Sequence, residues 1–180
     1  AILGLGGGCL ATALHYHQRG AHITAVELRP LVIELAQRHF QLPTGKKLQI
    51  VNQEASAYLK QGLERKVDII FTDLYHAQGV DAVQLQQEFI ANCAANIKPQ
   101  GWLVLNCWQE HQTNQELIDT LKHHFADIRT VLTNTHNWIV LAGKSPCTLP
   151  ASTLKQTAQQ LSIALGYSLQ RHLGRLETLI

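Results

Sequence analysis

The chain opens on an apolar run broken by glycines, Ile2-Leu3-Gly4-Leu5-Gly6-Gly7-Gly8, and a second apolar run downstream ends on an acid, Ala25-Val26-Glu27. A strand, a glycine turn, a helix and a strand tipped by a carboxylate make the front half of a nucleotide-type binding site. The glycines let the backbone turn tightly and approach a ligand closely, because no Cβ stands in the way. The carboxylate of Glu27 can accept both hydroxyls of a ribose. The rest of the chain has to decide which ribose-bearing ligand is meant.

Further along, helices are expected over 9–19, 31–40 (with Pro30 in the first turn), 55–62, 82–97 and 114–124. Strands are expected over 1–6, 22–28, 48–51 and 67–73. Val67-Asp68-Ile69-Ile70-Phe71-Thr72-Asp73 is a nearly continuous apolar run that ends in an acid, which is how a strand buried on both faces reads. Pro99-Gln100-Gly101 reads as a turn feeding a fifth strand, 102–106. Two more strand-like runs, 128–132 and 138–142, are separated only by Thr133 to Asn137. So short a gap permits an antiparallel hairpin and excludes a helical crossover. A final amphipathic helix follows at 152–165, continuing in pieces toward Ile180.

Alternating strands and helices predict an α/β fold, a Rossmann-like doubly wound, mostly parallel sheet. A nicotinamide-type sheet would end with parallel strands. Closure by a C-terminal antiparallel hairpin is instead the arrangement of S-adenosylmethionine-dependent transferases, the class I methyltransferase type. Residues 1–145 are read as one Rossmann-like transferase domain and 146–180 as its helical extension.

Composition narrows the function further. With 180 residues, 46% hydrophobic and 16% charged, the chain is an ordinary single globular domain. A net charge of +2 without a basic cluster gives no footprint for nucleic acid. No apolar stretch reaches the ~18 residues that span a bilayer. Cys9, Cys93, Cys107 and Cys147 lack any C-x-x-C spacing, so buried, reduced thiols and a cytoplasmic location are expected. His15 and His17 point in different directions on their helix and His123 and His124 are adjacent, so no metal site is expected. The chain starts without Met inside an apparent strand, so residues are expected upstream.

Gly4-Leu5-Gly6-Gly7-Gly8, Val26-Glu27-Leu28, Phe40-Gln41-Leu42-Pro43, Asp68-Ile69-Ile70-Phe71-Thr72-Asp73, Glu88-Phe89 and Pro99-Gln100-Gly101-Trp102-Leu103-Val104-Leu105-Asn106 together resemble the spermidine synthase-like family. The similarity runs collinearly over nearly all of residues 1–142. It implies a domain that binds S-adenosylmethionine or its decarboxylated form, needs no metal, and alkylates a small-molecule acceptor. It also admits a homodimer.

Carried over residue by residue, the resemblance puts Gly4, Gly6, Gly7 and Gly8 beneath the amino-acid end of the donor and Glu27 on the ribose. Glu54 faces the adenine, Leu28 and Ala55 stand beside these acids, and Asp73 lies between donor and acceptor and helps to deprotonate the latter. Asp73 also has the place, at the carboxyl end of a central strand, where ligands bind in open α/β sheets. His76 is of the residue type that most often serves as a general base, and Tyr75, Asn106 and Trp108 suit the acceptor pocket. Two departures stand out. Aminopropyltransferases resembling this chain carry acids where it has Cys9 and His76, and neither replacement can fix an ammonium by a charge-assisted bond. The N-terminal β-hairpin domain of true spermidine synthases does not fall within residues 1–180, as expected if residues are missing upstream. Aminopropyl or methyl transfer is therefore the leading reading. A methyltransferase with a non-polyamine acceptor and a non-catalytic binding module are the alternatives.

Overall fold

The glycine-broken opening run becomes the centre of an eight-stranded sheet in the computed structural model, which describes residues 1–17, 22–76 and 79–180. The front half comprises β1 (Ile2–Leu3), α1 (Cys9–Tyr16), β2 (Ile23–Glu27), α2 (Pro30–His39), β3 (Leu48–Asn52), α3 (Ala55–Lys60) and β4 (Val67–Thr72). After β4 come a small ladder of β5 (Tyr75–His76) and β6 (Gly79–Val80), a 3-10 turn at Ala82–Leu85, and α4 (Gln87–Asn96). The back half is β7 (Ile97–Trp108), a 3-10 turn at Gln109–Thr113, α5 (Gln115–His124), β8 (Asp127–Leu132), β9 (Asn137–Gly143), α6 (Ala151–Leu165), α7 (Gln170–Leu173) and β10 (Glu177–Thr178). The end of the first expected helix, 18–19, lies outside the described residues.

Strand order is β10-β8-β9-β7-β4-β1-β2-β3. Strands β3, β2, β1, β4 and β7 are mutually parallel, and β9 runs antiparallel to both β7 and β8. This is the expected α/β sheet closed by a hairpin. The order reverses between β1 and β4, and in such sheets the crevice outside the carboxyl ends of the strands at that point is where ligands bind.

Because successive strand residues point to opposite faces, Ile2 and Leu3 enter different cores. Leu3, Val26, Ile70, Leu103, Leu105 and Val140 pack with Leu59, Ile90 and Leu117 of α3, α4 and α5. Ile2, Ile23, Ala25 and Leu48 pack with Ala11 and Ala36 of α1 and α2. That second core is centred on β1, β2 and β3, and this explains a departure in β4. Ile70 and Thr72 are buried; on the opposite face Phe71 packs against the second core but Ile69 is 37% exposed, so that face is only partly covered rather than buried as the apolar run suggested.

Three other expectations change. Pro99-Gln100-Gly101 is not a turn before a strand but a bulge inside β7. The register steps from Val67↔Ile97 to Ile69↔Trp102, and an added Cβ at Gly101 would collide with the Asp68 carbonyl. The single helix expected over 82–97 is interrupted at Gln86, whose backbone is extended, and the preceding turn is pinned to the sheet through the fully buried Gln84. Of the four thiols expected to be buried, Cys93 and Cys107 are, whereas Cys9 at the start of α1 is exposed and Cys147 is half-buried. The stretch after residue 145 holds α6 and α7 and also returns β10 to the sheet edge beside β8.

Candidate functional site

Two structures meet at the crevice. The first is the glycine turn. The Gly4 N–H still bonds to the Val26 carbonyl at 2.9 Å, so the chain leaves the β1–β2 ladder only after that residue. Gly4 has φ +92°, and a Cβ there would collide with the backbone carbonyl of Asp73, a group that cannot move aside. Glycine is therefore required on two independent grounds. Gly8, with φ +78°, is the N-cap of α1. Gly7 lies against the Phe40 ring, while a Cβ at Gly6 would meet nothing within 4 Å, so the turn is open there.

Glu27 ends β2 buried, 5% exposed, with its carboxylate against this turn. Its Oε2 accepts from the Leu5 N–H at 3.1 Å and its Oε1 from the Arg29 N–H at 3.0 Å. Asn52, opposite it in β3, donates to the carbonyls of both Glu27 and Leu28 and so fixes the end of β2. Leu28 is exposed. Glu54 is the N-cap of α3, its two oxygens accepting from Ser56 N–H at 2.8 Å and Ala57 N–H at 2.7 Å. Ala55, the first residue of that helix, is buried. The sequence contains no local signal for Asn52, because its partners come from a neighbouring strand.

The second structure lies at the ends of β4, β7 and β9. Asp73 follows β4 directly, its N–H on the Leu3 carbonyl at 2.8 Å and its side chain exposed to solvent. Asn106 Nδ2 donates to Asp73 Oδ1 at 2.8 Å. Behind this pair, Asn137 Nδ2 donates to Asn106 Oδ1 at 2.9 Å. Tyr75 Oη and Gln84 Nε2 both donate to the Asn106 carbonyl, at 3.3 and 3.0 Å. Burial, with the charge of Asp73 next, pushes the Tyr75 phenol up to about 12, so it stays protonated at neutral pH. The Tyr75 and Trp108 rings lie 6.3 Å apart, and Gly79 of β6 packs directly on Trp108.

The structure thus brings Gly4, Glu27, Asp73, Asn106 and Tyr75 to one crevice. His76 is exposed on β5, paired with Gly79. Sequence reasoning missed Gln84 and Asn137, whose chain neighbours carry no motif. It also missed Asp81, whose N–H bonds to the Leu74 carbonyl at 2.9 Å and whose carboxylate caps Val83 N–H at 3.0 Å. Asp81 thus adds a further acid to the segment that follows Asp73.

A cavity of about 240 Å³ adjoins this end at Trp108, Gln109, Glu110, Thr135 and His136. A larger one of about 470 Å³, between Lys66, Ile97, His124 and Lys144, opens at the start of β4 and β7, at the opposite end from Asp73. Its Lys144 is engaged with the last carbonyl of α5, on His124, and with the Phe125 ring. Among the described residues no group of three His, Cys, Asp or Glu could hold a metal ion, and no helix is long and apolar enough to cross a membrane.

Residues 1–142 match the spermine/spermidine synthase domain. The polyamine aminopropyltransferase of Neisseria meningitidis serogroup A is 28% identical over 179 residues, covering 97% of this chain and 68% of the relative. Among solved structures, human methyltransferase-like protein 13 in complex with SAH superposes with a TM-score of 0.81 at 23% identity, covering 91% of this chain and 80% of that one. A probable spermidine synthase from Corynebacterium glutamicum gives 0.71 at 18% identity, covering 89% and 62%.

Proposed function

The chain belongs to the spermine/spermidine synthase domain family, and from that premise we propose that it moves an alkyl group, methyl or aminopropyl, from S-adenosylmethionine or its decarboxylated form to a small nucleophile. One juxtaposition supports this most strongly. Gly4 backs onto the Asp73 carbonyl, so the glycine turn and the strand-end carboxylate form adjoining walls of one crevice. The residues suit an adenosyl donor: the turn is open at Gly6, and the Glu27 carboxylate lies at the same turn through the Leu5 N–H.

When bound, such a donor supplies an electrophilic carbon on a sulfonium and a neutral thioether leaving group. The protein then has to align the acceptor and take its proton. Asp73, held at one oxygen by Asn106, would accept that proton, with His76 as a second acceptor nearby. Glu27 would add the ribose hydroxyls to the two N–H groups it already accepts, with Gly4, Gly6, Gly7, Gly8 and Leu28 lining that end. Glu54 and Ala55 would flank the adenine. Tyr75 contributes a neutral wall rather than a base, being held protonated.

On this reading the acceptor carries less charge than a diamine. Cys9 and His76 stand where resembling aminopropyltransferases carry acids, and the Asp81 carboxylate is engaged with Val83 N–H. An ammonium moved out of water needs a paired charge to offset its desolvation. Thermal-shift titration with S-adenosylmethionine and with its decarboxylated form tests the proposal, since a ligand that binds the folded state raises Tm by mass action. A shift with one donor assigns methyl or aminopropyl transfer. A shift with neither would leave a non-catalytic binding module and defeat the proposal.

A further inference from the structure

The β8–β9 turn, which sequence reasoning used only to settle topology, is connected to Asp73 by an unbroken run of side-chain hydrogen bonds. Register explains how. Phe71 and Thr72 of β4 lie opposite Val104 and Leu105 of β7, so Asp73 falls beside Asn106. Asn106 lies opposite Ile139 of β9, and Asn137, two residues earlier, shares the same face of the sheet. Three residues 33 and 31 positions apart in the chain therefore meet in a diagonal row.

The direction of every bond in the row is determined. A carboxylate only accepts, so Asn106 must turn its NH2 to Asp73. Its Oδ1 then faces Asn137 and requires a donor, and Asn137 supplies Nδ2 at 2.9 Å. The Asn137 Oδ1 in turn accepts from Thr135 Oγ1 at 3.1 Å. With that proton committed, the 2.9 Å contact between Thr133 and Thr135 must have Thr133 Oγ1 as donor. The Asn137 N–H closes the turn on Thr133 Oγ1 at 3.0 Å.

We infer that Asn137 is a positioning residue, which orients the Asn106 amide and through it fixes the Asp73 carboxylate toward the acceptor. The inference rests on the proposed role of Asp73. A carboxylate whose rotation is fixed keeps its remaining lone pairs in one direction, whereas an exposed, untethered one samples several rotamers. Thr135 completes the row by donating to the Asn137 carbonyl oxygen that this orientation leaves facing it.

Asn137→Asp and Asn137→Ala separate positioning from support of the turn. Aspartate keeps the shape and loses the donor. Turnover of n-butylamine is measured with each donor, donor affinity by thermal shift with S-adenosylhomocysteine, and the Asn106 side-chain NH2 by ¹H–¹⁵N NMR. Both variants should lower kcat roughly 10- to 100-fold, with donor affinity unchanged, as expected for a misaligned reacting group. Both should also displace the Asn106 NH2 signals, and Thr135→Val should do so more weakly. Wild-type kcat in Asn137→Asp beside a loss in Asn137→Ala would reduce Asn137 to a shape-filling role and overturn the inference. If the wild-type protein transfers to no amine, the functional reading fails separately. Unmoved Asn106 signals in Asn137→Asp would then refute the inference, and moved signals would sustain the Asn137 to Asn106 link.

Discussion

Around the glycine turn the crevice is built from backbone, whereas at the ends of β4, β7 and β9 it is built from side chains. At the turn, Glu27 is held by the N–H groups of Leu5 and Arg29, and Gly4 is fitted to a carbonyl. At the other end, Asp73 is held by an asparagine that is itself held by another. Backbone contacts leave little freedom for substitution at the turn. A side-chain row can be rewritten one residue at a time while the fold stands, so on the proposed reading specificity for the acceptor could change without loss of the donor site.

The largest effect should come from breaking the backbone half. Gly4→Ala combines a left-handed backbone at φ +92° with a collision against the Asp73 carbonyl. A loss of about 4 kcal/mol in denaturant unfolding is expected, together with loss of any donor-induced thermal shift. Stability and binding close to wild type in this variant would remove the turn from the site.

Next comes the base of the hairpin that carries Asn137. Asp127 is buried and takes Arg129 Nε at 2.8 Å, Arg129 Nη2 at 2.9 Å and the Cys147 N–H at 2.8 Å. Burial pushes its carboxyl up, but these bonds and the Arg129 charge outweigh it and hold the group below its ordinary range. The folded state therefore binds this proton less readily than the unfolded chain. The resulting stabilisation is complete above about pH 4 and is lost as pH falls through the folded value. Asp127→Asn should destabilise by roughly 3 kcal/mol at neutral pH, because it leaves Arg129 unpaired, and should flatten the acid limb of stability against pH. An unchanged acid limb would show that the pair does not anchor the hairpin.

Asp73→Ala tests the side-chain half directly. Its residue is exposed, so stability should change by no more than about 0.5 kcal/mol, while turnover falls about 100-fold or more and donor binding persists. Of the two glycine substitutions Gly6→Ala has the smaller effect on stability, at about 1 kcal/mol. It carries only the cost of a left-handed alanine, since nothing lies within 4 Å. The contrast between Gly4 and Gly6 measures how much of the turn is fitted to Asp73 rather than merely bent.

The same division explains what the sequence could disclose. The glycine turn, Glu27, the strand-end Asp73 and the short gap at 133–137 are local signals, each set by neighbours in the chain, and they carry the fold. Asn52, Gln84 and Asn137 act across strands and look like ordinary polar residues in one dimension. Pro99–Gly101 reads as a turn in the sequence because bulges and turns both use proline and glycine, and only strand pairing distinguishes them. Strand β10 consists of two exposed residues, Glu177 and Thr178, with no apolar alternation to reveal it. Exposure at Ile69 depends on how far α1 and α2 reach, which strand composition does not encode.

On the proposed reading this crevice transfers an alkyl group from an adenosyl sulfonium to a small acceptor of low charge. Mass-spectrometric detection of product from the wild-type protein, given each donor with n-butylamine and with putrescine, tests it most directly. The expected result is alkylated n-butylamine with one of the donors and weak or no alkylated putrescine. Efficient, saturable formation of spermidine from putrescine would contradict the assigned acceptor class, and no product from any pairing would contradict the assigned activity.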